Sequence, residues 1–75
     1  MKNTHALLLK QLARNVREYR KAAGFSQEGL ALEAEVDRTY VSQIERGVCN
    51  PSLLVLHKLA MVLQVSVVSL LKTGK

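Results

Sequence analysis

Residues 26–47 read SQEGLALEAEVDRTYVSQIERG, and within them two short helix patterns follow one another almost without a gap. Ser26 is placed to cap the first, with Glu28 and Glu33 framing an apolar set at Leu30, Ala31 and Ala34 that makes a one-sided helix. Asp37 is a second N-cap residue, ahead of a helix that runs to Arg46 and stops at Gly47, a residue that tolerates the left-handed C′ conformation. Only Glu35 and Val36 lie between the two patterns. Two capped helices joined by so tight a turn have the layout of a helix-turn-helix.

The second of these helices has two unlike sides. On a 3.6-residue period Val41 and Ile44 face inward, Thr39, Ser42, Gln43 and Arg46 cluster opposite them, and Arg38 and Tyr40 lie at the edges. The outward side is rich in donors and nearly free of carboxylates. It suits the major groove of DNA, because Arg bonds guanine bidentately, Gln does the same with adenine, and Thr offers a methyl to thymine. Each good pair discriminates by about 1–3 kcal/mol. An ordinary solvated helix also turns polar residues outward, so this face alone leaves both readings open.

Helix patterns extend on either side of the motif. Thr4 is placed to cap a first helix whose apolar positions Leu8, Leu9, Leu12, Ala13, Val16, Tyr19 and Ala23 recur at three- and four-residue steps, with Gly24 as its end. Phe25, directly before Ser26, sits where a hydrophobic staple would pack against Leu30. Beyond Gly47, residues 48–51 form a loop, and Ser52 caps a helix over Leu53–Leu63 with core positions Leu53, Leu56, Leu59, Ala60 and Leu63. Ser66 caps a short last helix through Leu71. The expected fold class is all-α, five helices in one domain over residues 1–75, with no internal repeat or low-complexity segment.

A chain of 75 residues buries a limited fraction of its surface, so it needs either very regular packing or a partner. Its net charge of +5 suits a polyanion, through phosphate neutralisation and counterion release. The charge is unevenly spread: residues 1–25 carry six basic groups against Glu18, residues 26–45 carry Arg38 against five acids, and residues 46–75 carry four basic groups and no acid. The central acids must therefore mostly face away from a bound polyanion.

Cys49 is the single cysteine, which excludes an internal disulfide and a cysteine-based zinc site and fits a reducing cytoplasm. His5 and His57 have no neighbouring ligands at metal spacing, so no metal or other cofactor is expected. The N-terminal MKNTHALLLKQLAR has no long apolar core or small-residue cleavage site. The most apolar stretch, Leu53 to Leu71, is interrupted by His57, Lys58, Gln64, Ser66 and Ser69, which argues against a membrane span. A soluble cytoplasmic protein is expected. No nucleophile–base–orienter set or phosphate-binding glycine loop supports an enzyme.

The segments SQEGLA, DRTYVSQIERG and NPSLLVLHKLAMVLQVS stand in the order and spacing of the Cro and repressor-like (Xre) helix-turn-helix family, which the chain resembles over roughly residues 8–71. That resemblance implies a lambda-repressor-like DNA-binding domain with helices 2 and 3 as the motif. Among relatives the short chain most resembles the controller proteins of restriction–modification systems, which are small homodimeric regulators without an added ligand domain, so no small-molecule effector is expected. The resemblance assigns base contacts to Arg38, Thr39 and Gln43, and phosphate or groove-edge contacts to Gln27, Tyr40, Ser42, Arg46 and Asn50. It pairs Arg20 with Glu45 in a partly buried salt bridge between helix 1 and the recognition helix. For Tyr40 core packing, for Ser42 a plain helix surface and for Asn50 a turn-forming role remain open alternatives.

Six positions depart from the family pattern. Glu35 and Gln64 stand where helix-ending glycines are common, and a left-handed Glu35 would be strained by about 1 kcal/mol or more, which predicts a slightly different turn. Gly29 inside the first motif helix costs about 1 kcal/mol relative to Ala with no compensating role legible in the sequence. Leu54, Met61 and Val68 are apolar where relatives often carry polar residues, and outward apolar groups want a partner. A two-fold homodimer through some of Leu54, Met61, Val65, Val67, Val68 and Leu71 is therefore expected. It would set two recognition helices about 34 Å apart, for successive major grooves.

The function these features imply is sequence-specific regulation of transcription from a near-palindromic operator, by occlusion of RNA polymerase or contact with it. One rival is an antitoxin-like or other protein-interaction module that uses the apolar C-terminal helices. The other is charge-driven RNA or non-specific nucleic-acid binding, which lacks the stacking aromatics that single strands require.

Overall fold

The computed structural model describes residues 4–73, and within them five helices and no strand. They are α1 (Thr4–Ala22), α2 (Gln27–Ala34), α3 (Arg38–Glu45), α4 (Leu53–Leu63) and α5 (Val67–Leu71). Four side chains start the last four helices as expected. The Oγ of Ser26 accepts from Gly29 N–H, a carboxylate oxygen of Asp37 from Thr39, Ser52 Oγ from Val55, and Ser66 Oγ from Ser69. Each satisfies an amide that a helix start leaves without an intrahelical partner. α1 already includes Thr4, so the cap expected there falls inside the helix.

The core is one apolar cluster to which every helix contributes: Leu12 and Val16 from α1, Leu30, Ala31 and Ala34 from α2, Val41 and Ile44 from α3, Leu56, Leu59, Ala60 and Leu63 from α4, and Leu70 from α5. α2 and α3 pack on each other, α1 backs α3 and α5, and α4 backs α2. Asn15 secures the last helix by donating from Nδ2 to the carbonyls of Leu70 (2.8 Å) and Lys72 (2.9 Å). Neither Asn15 nor the fully buried Leu70 figures in the sequence expectation.

Three expected core positions are exposed to solvent. Leu8 and Leu53 are exposed, Leu53 by 71%, and Ala23 lies exposed just past the end of α1. α1 is 19 residues long against eight for α2 and for α3, so its first turns overhang the bundle and the apolar period continues past anything that could cover it. Leu53 is the first residue of α4, ahead of the turn that meets the core.

Both unusual helix ends take the left-handed geometry that glycine usually supplies. Glu35 adopts φ 59°, ψ 45° and Gln64 φ 59°, ψ 42°, each left-handed. The next amide reaches back in each case, Val36 N–H to Ala31 O and Val65 N–H to Ala60 O, both at 3.0 Å. This is the glycine-type C-terminal motif built without glycine, so the expectation of an altered turn at Glu35 is overturned: the closure is retained and the strain is carried. Gly29 also acquires a reason. A Cβ there would stand 3.1 Å from Ser26 Oγ, crowding the cap, and 3.6 Å from Phe25 Cδ1, in ordinary contact with the half-buried ring beside it.

Candidate nucleic-acid interface

The position of α3 is fixed by a buried ion pair. Arg20 of α1 donates from Nε and Nη2 to the two carboxylate oxygens of Glu45, the last residue of α3, at 2.6 and 2.9 Å. Its third nitrogen, Nη1, donates to Phe25 O at 2.9 Å, so one guanidinium ties together α1, the entry to α2 and the end of α3. Gln27 Nε2 adds a bond to Glu45 at 3.0 Å. Glu45 is only 2% exposed, yet among the described residues no buried side-chain polar atom lacks a hydrogen-bond partner. The hydrogen bonds that Arg20 donates to Glu45 raise its pKa above the ordinary value, against the opposing effect of burial. The paired roles expected for Arg20 and Glu45 are thus present in the geometry.

In front of this brace the first turns of α2 and α3 form a cleft of 440 Å³ lined by Gln27, Glu28, Arg38, Thr39 and Ser42. Four of the five are expected contact residues, now brought together from two helices. Thr39 and Arg46 are exposed, and Ser42 and Gln43 are half-exposed. Gln27 divides its position between lining the cleft and bracing Glu45. Tyr40 packs its ring on the core and its Oη accepts from Ser52 N–H at 3.1 Å, which joins α3 to the cap of α4. A phenol that accepts a bond retains its own proton, so both readings of Tyr40 survive. Asn50 is exposed in the loop after α3.

Two residues that the sequence did not assign to this surface belong to it. Arg17, half-exposed and one turn before Arg20, donates from Nη2 to Glu45 O at 2.7 Å, which puts a cation at the C-terminal end of α3. The i, i+3 spacing of Arg17 and Arg20 was its only sequence signal. Glu28 is the other: its carboxylate lies 3.4 Å from Arg38 Nη1, so at least one central acid turns toward the cleft and not away from it.

A polar, donor-lined cleft set across two helices on a buried Arg–Glu brace defines a helix-turn-helix domain, and the chain belongs to the helix-turn-helix family HTH_3, whose profile matches residues 16–70. Among proteins it is similar to is the transcriptional regulator SinR of Bacillus subtilis, 43% identical over 61 residues that make up 80% of this chain and 55% of SinR. A crystal structure of SinR in complex with DNA superposes with a TM-score of 0.79 at 42% identity, covering 81% of this chain and 98% of that one. The hypothetical transcription factor NHTF from Neisseria superposes with a TM-score of 0.85 at 42% identity, over 89% of this chain and 77% of the other. The restriction–modification controller protein C.AhdI from Aeromonas hydrophila gives 0.80 at 42% identity, over 83% and 94%. The chain spans about half the length of SinR. Among the described residues no helix is long and apolar enough to cross a membrane.

Proposed function

We propose that this chain reads a specific sequence in double-stranded DNA and regulates transcription as a homodimer on a near-palindromic operator, in the manner of a restriction–modification controller. The observation that carries this reading is the cleft that gathers Gln27, Arg38, Thr39 and Ser42 on the open side of a rigidly braced α3. Arg38, Thr39 and Gln43 are the base-reading side chains. Gln27, Tyr40, Ser42, Arg46 and Asn50 hold the backbone, since phosphate contacts fix register while base edges carry the sequence. The similarity to SinR, which has been crystallised with DNA, and to C.AhdI supports both the ligand and the biological role.

The two-fold contact falls to α4 and α5, where Leu54, Met61 and Val68 are 61%, 65% and 74% exposed. Val65, Val67 and Leu71 are half-buried against their own core and contribute edges to the contact. RNA polymerase is a third partner only through the operator, by occlusion or contact. No catalytic step and no small-molecule effector belong to this reading, and a reader of chromosomal DNA works in the cytoplasm.

Selection of bound duplexes from a random pool tests the proposal. An enriched inverted repeat with half-sites about one helical turn apart is the expected result. A pool that returns no enriched sequence would overturn it.

A further inference from the structure

Arg38 is not free in the cleft. Its Nη1 lies 3.4 Å from Glu28 Oε1, and the two side chains are 68% and 73% exposed, with the acid in the first turn of α2 and the base at the first position of α3. Both line the cleft. A cleft that bound phosphate alone would gain nothing from a carboxylate at its wall, which repels the backbone and weakens every duplex equally. Base reading gives that carboxylate a use. An arginine fork has five donors in fixed geometry, and a bond through Nη1 leaves Nη2 and Nε to meet guanine O6 and N7 as a pair. The held fork also loses less rotamer freedom when it binds.

From this we infer that Glu28 is a positioning residue that sets base specificity: it orients Arg38 toward one guanine and lowers affinity for all other DNA. The inference rests on the reading of the cleft as a base-reading surface. The unpaired Glu28 oxygen is an acceptor only, so it favours an amino donor, as on cytosine or adenine, at the neighbouring base pair and disfavours an acceptor edge there.

The test compares wild-type protein, Glu28→Gln, Arg38→Ala and the double variant on three duplexes: the selected operator, the operator with the Arg38 guanine replaced, and random sequence. Glu28→Gln keeps the size of the side chain and removes its charge, at an exposed site where folding is not at stake. Its expected effect is tighter binding to random duplex together with about a fivefold or greater loss of preference for the guanine. In the Arg38→Ala background, Glu28→Gln should leave that preference unchanged. If Glu28→Gln raises affinity on all three duplexes by the same factor, the carboxylate is a charge and nothing more, and the positioning role is overturned. Unchanged binding on all three overturns the inference as well. Failure of the wild-type protein to prefer any sequence would instead overturn the DNA-reading function, so the two failures are distinct.

Discussion

Arg20 and Glu45 meet through two parallel hydrogen bonds, 2.6 and 2.9 Å long, across 25 positions of sequence and almost out of contact with solvent. This pair binds the helix that carries the reading face to the helix behind it, so orientation of the face and stability of the bundle rest on the same two side chains. Glu45→Ala leaves Arg20 buried without its counter-charge and removes a partner from Arg17 and Gln27. Loss of one member of a buried pair costs about 3–5 kcal/mol, a large share of the roughly 5–15 kcal/mol available to a domain. The expected outcome is a urea midpoint that collapses, with most of the loss recovered in Arg20→Met/Glu45→Leu. A single-variant loss below about 1 kcal/mol would show that the pair is ornamental. Because the folded pKa of Arg20 is raised, its contribution is present below the unfolded value and is lost only as pH rises through the still higher folded one. The urea midpoint should accordingly show no Arg20-driven decline across neutral and mildly alkaline pH.

Glu35 and Gln64 carry strain that glycine would relieve. Both sit at φ 59°, where a Cβ costs roughly 1–2 kcal/mol, and part of that gain is returned through the greater chain entropy of glycine in the unfolded state. Glu35→Gly and Gln64→Gly should each stabilise by up to about 1 kcal/mol, which for a domain of this size raises Tm by about 4–8 °C per kcal/mol. Gly24→Ala, at φ 83° with open space around it, should destabilise through backbone strain alone. Thermal melts that rank Glu35→Gly below wild type would mean that the Glu35 side chain contributes more than its strain costs.

Arg38 and Arg46 should part company on DNA. Arg38 lines the cleft, whereas Arg46 follows the last turn of α3 and is exposed, with no hydrogen bond or ion pair from its side chain to another described residue. Arg38→Ala should weaken operator binding by about 1–3 kcal/mol and relax preference at one base position. Arg46→Ala should weaken every duplex alike and reduce the salt slope by about 1. These are read from binding curves on operator and random duplex at several salt concentrations. Equal losses for Arg38→Ala on the two duplexes would remove it from the base-reading set.

The local signals were the legible ones. Ser26, Asp37, Ser52 and Ser66 each announce a helix start because a cap acts within three residues, and Leu30, Val41, Ile44 and Leu59 announce their burial because the helical period is local as well. What the sequence hid depends on where helices end relative to one another. Leu8 continues a correct period past the edge of the bundle, and Leu70 is buried only because α5 folds back on α1, where Asn15 holds it. At the site, Gln27, Arg38, Thr39 and Ser42 were each legible as residue types, but their sharing of one cleft with Glu28 was not. Net charge places an acid in a segment, and only the crossing of α2 and α3 decides which way it points.

The exposed apolar side chains of α4 and α5 give the last prediction. Val68 is 74% exposed, so Val68→Asp removes nothing from the monomer's core and its fold should survive, as judged by an unchanged helical circular dichroism spectrum. In a two-fold interface the same change meets itself or an apolar neighbour across the axis, and a carboxylate buried there without a partner costs several kcal/mol. The sedimentation mass should therefore fall from twice the chain mass to one. Operator affinity should fall with it, because each half-site is then bound without the effective concentration that a linked second reader supplies. Binding to a single half-site should be spared. A Val68→Asp protein that still sediments at twice the chain mass would place the two-fold contact elsewhere, with the overhanging Leu7 and Leu8 of α1 as the next apolar surface to alter.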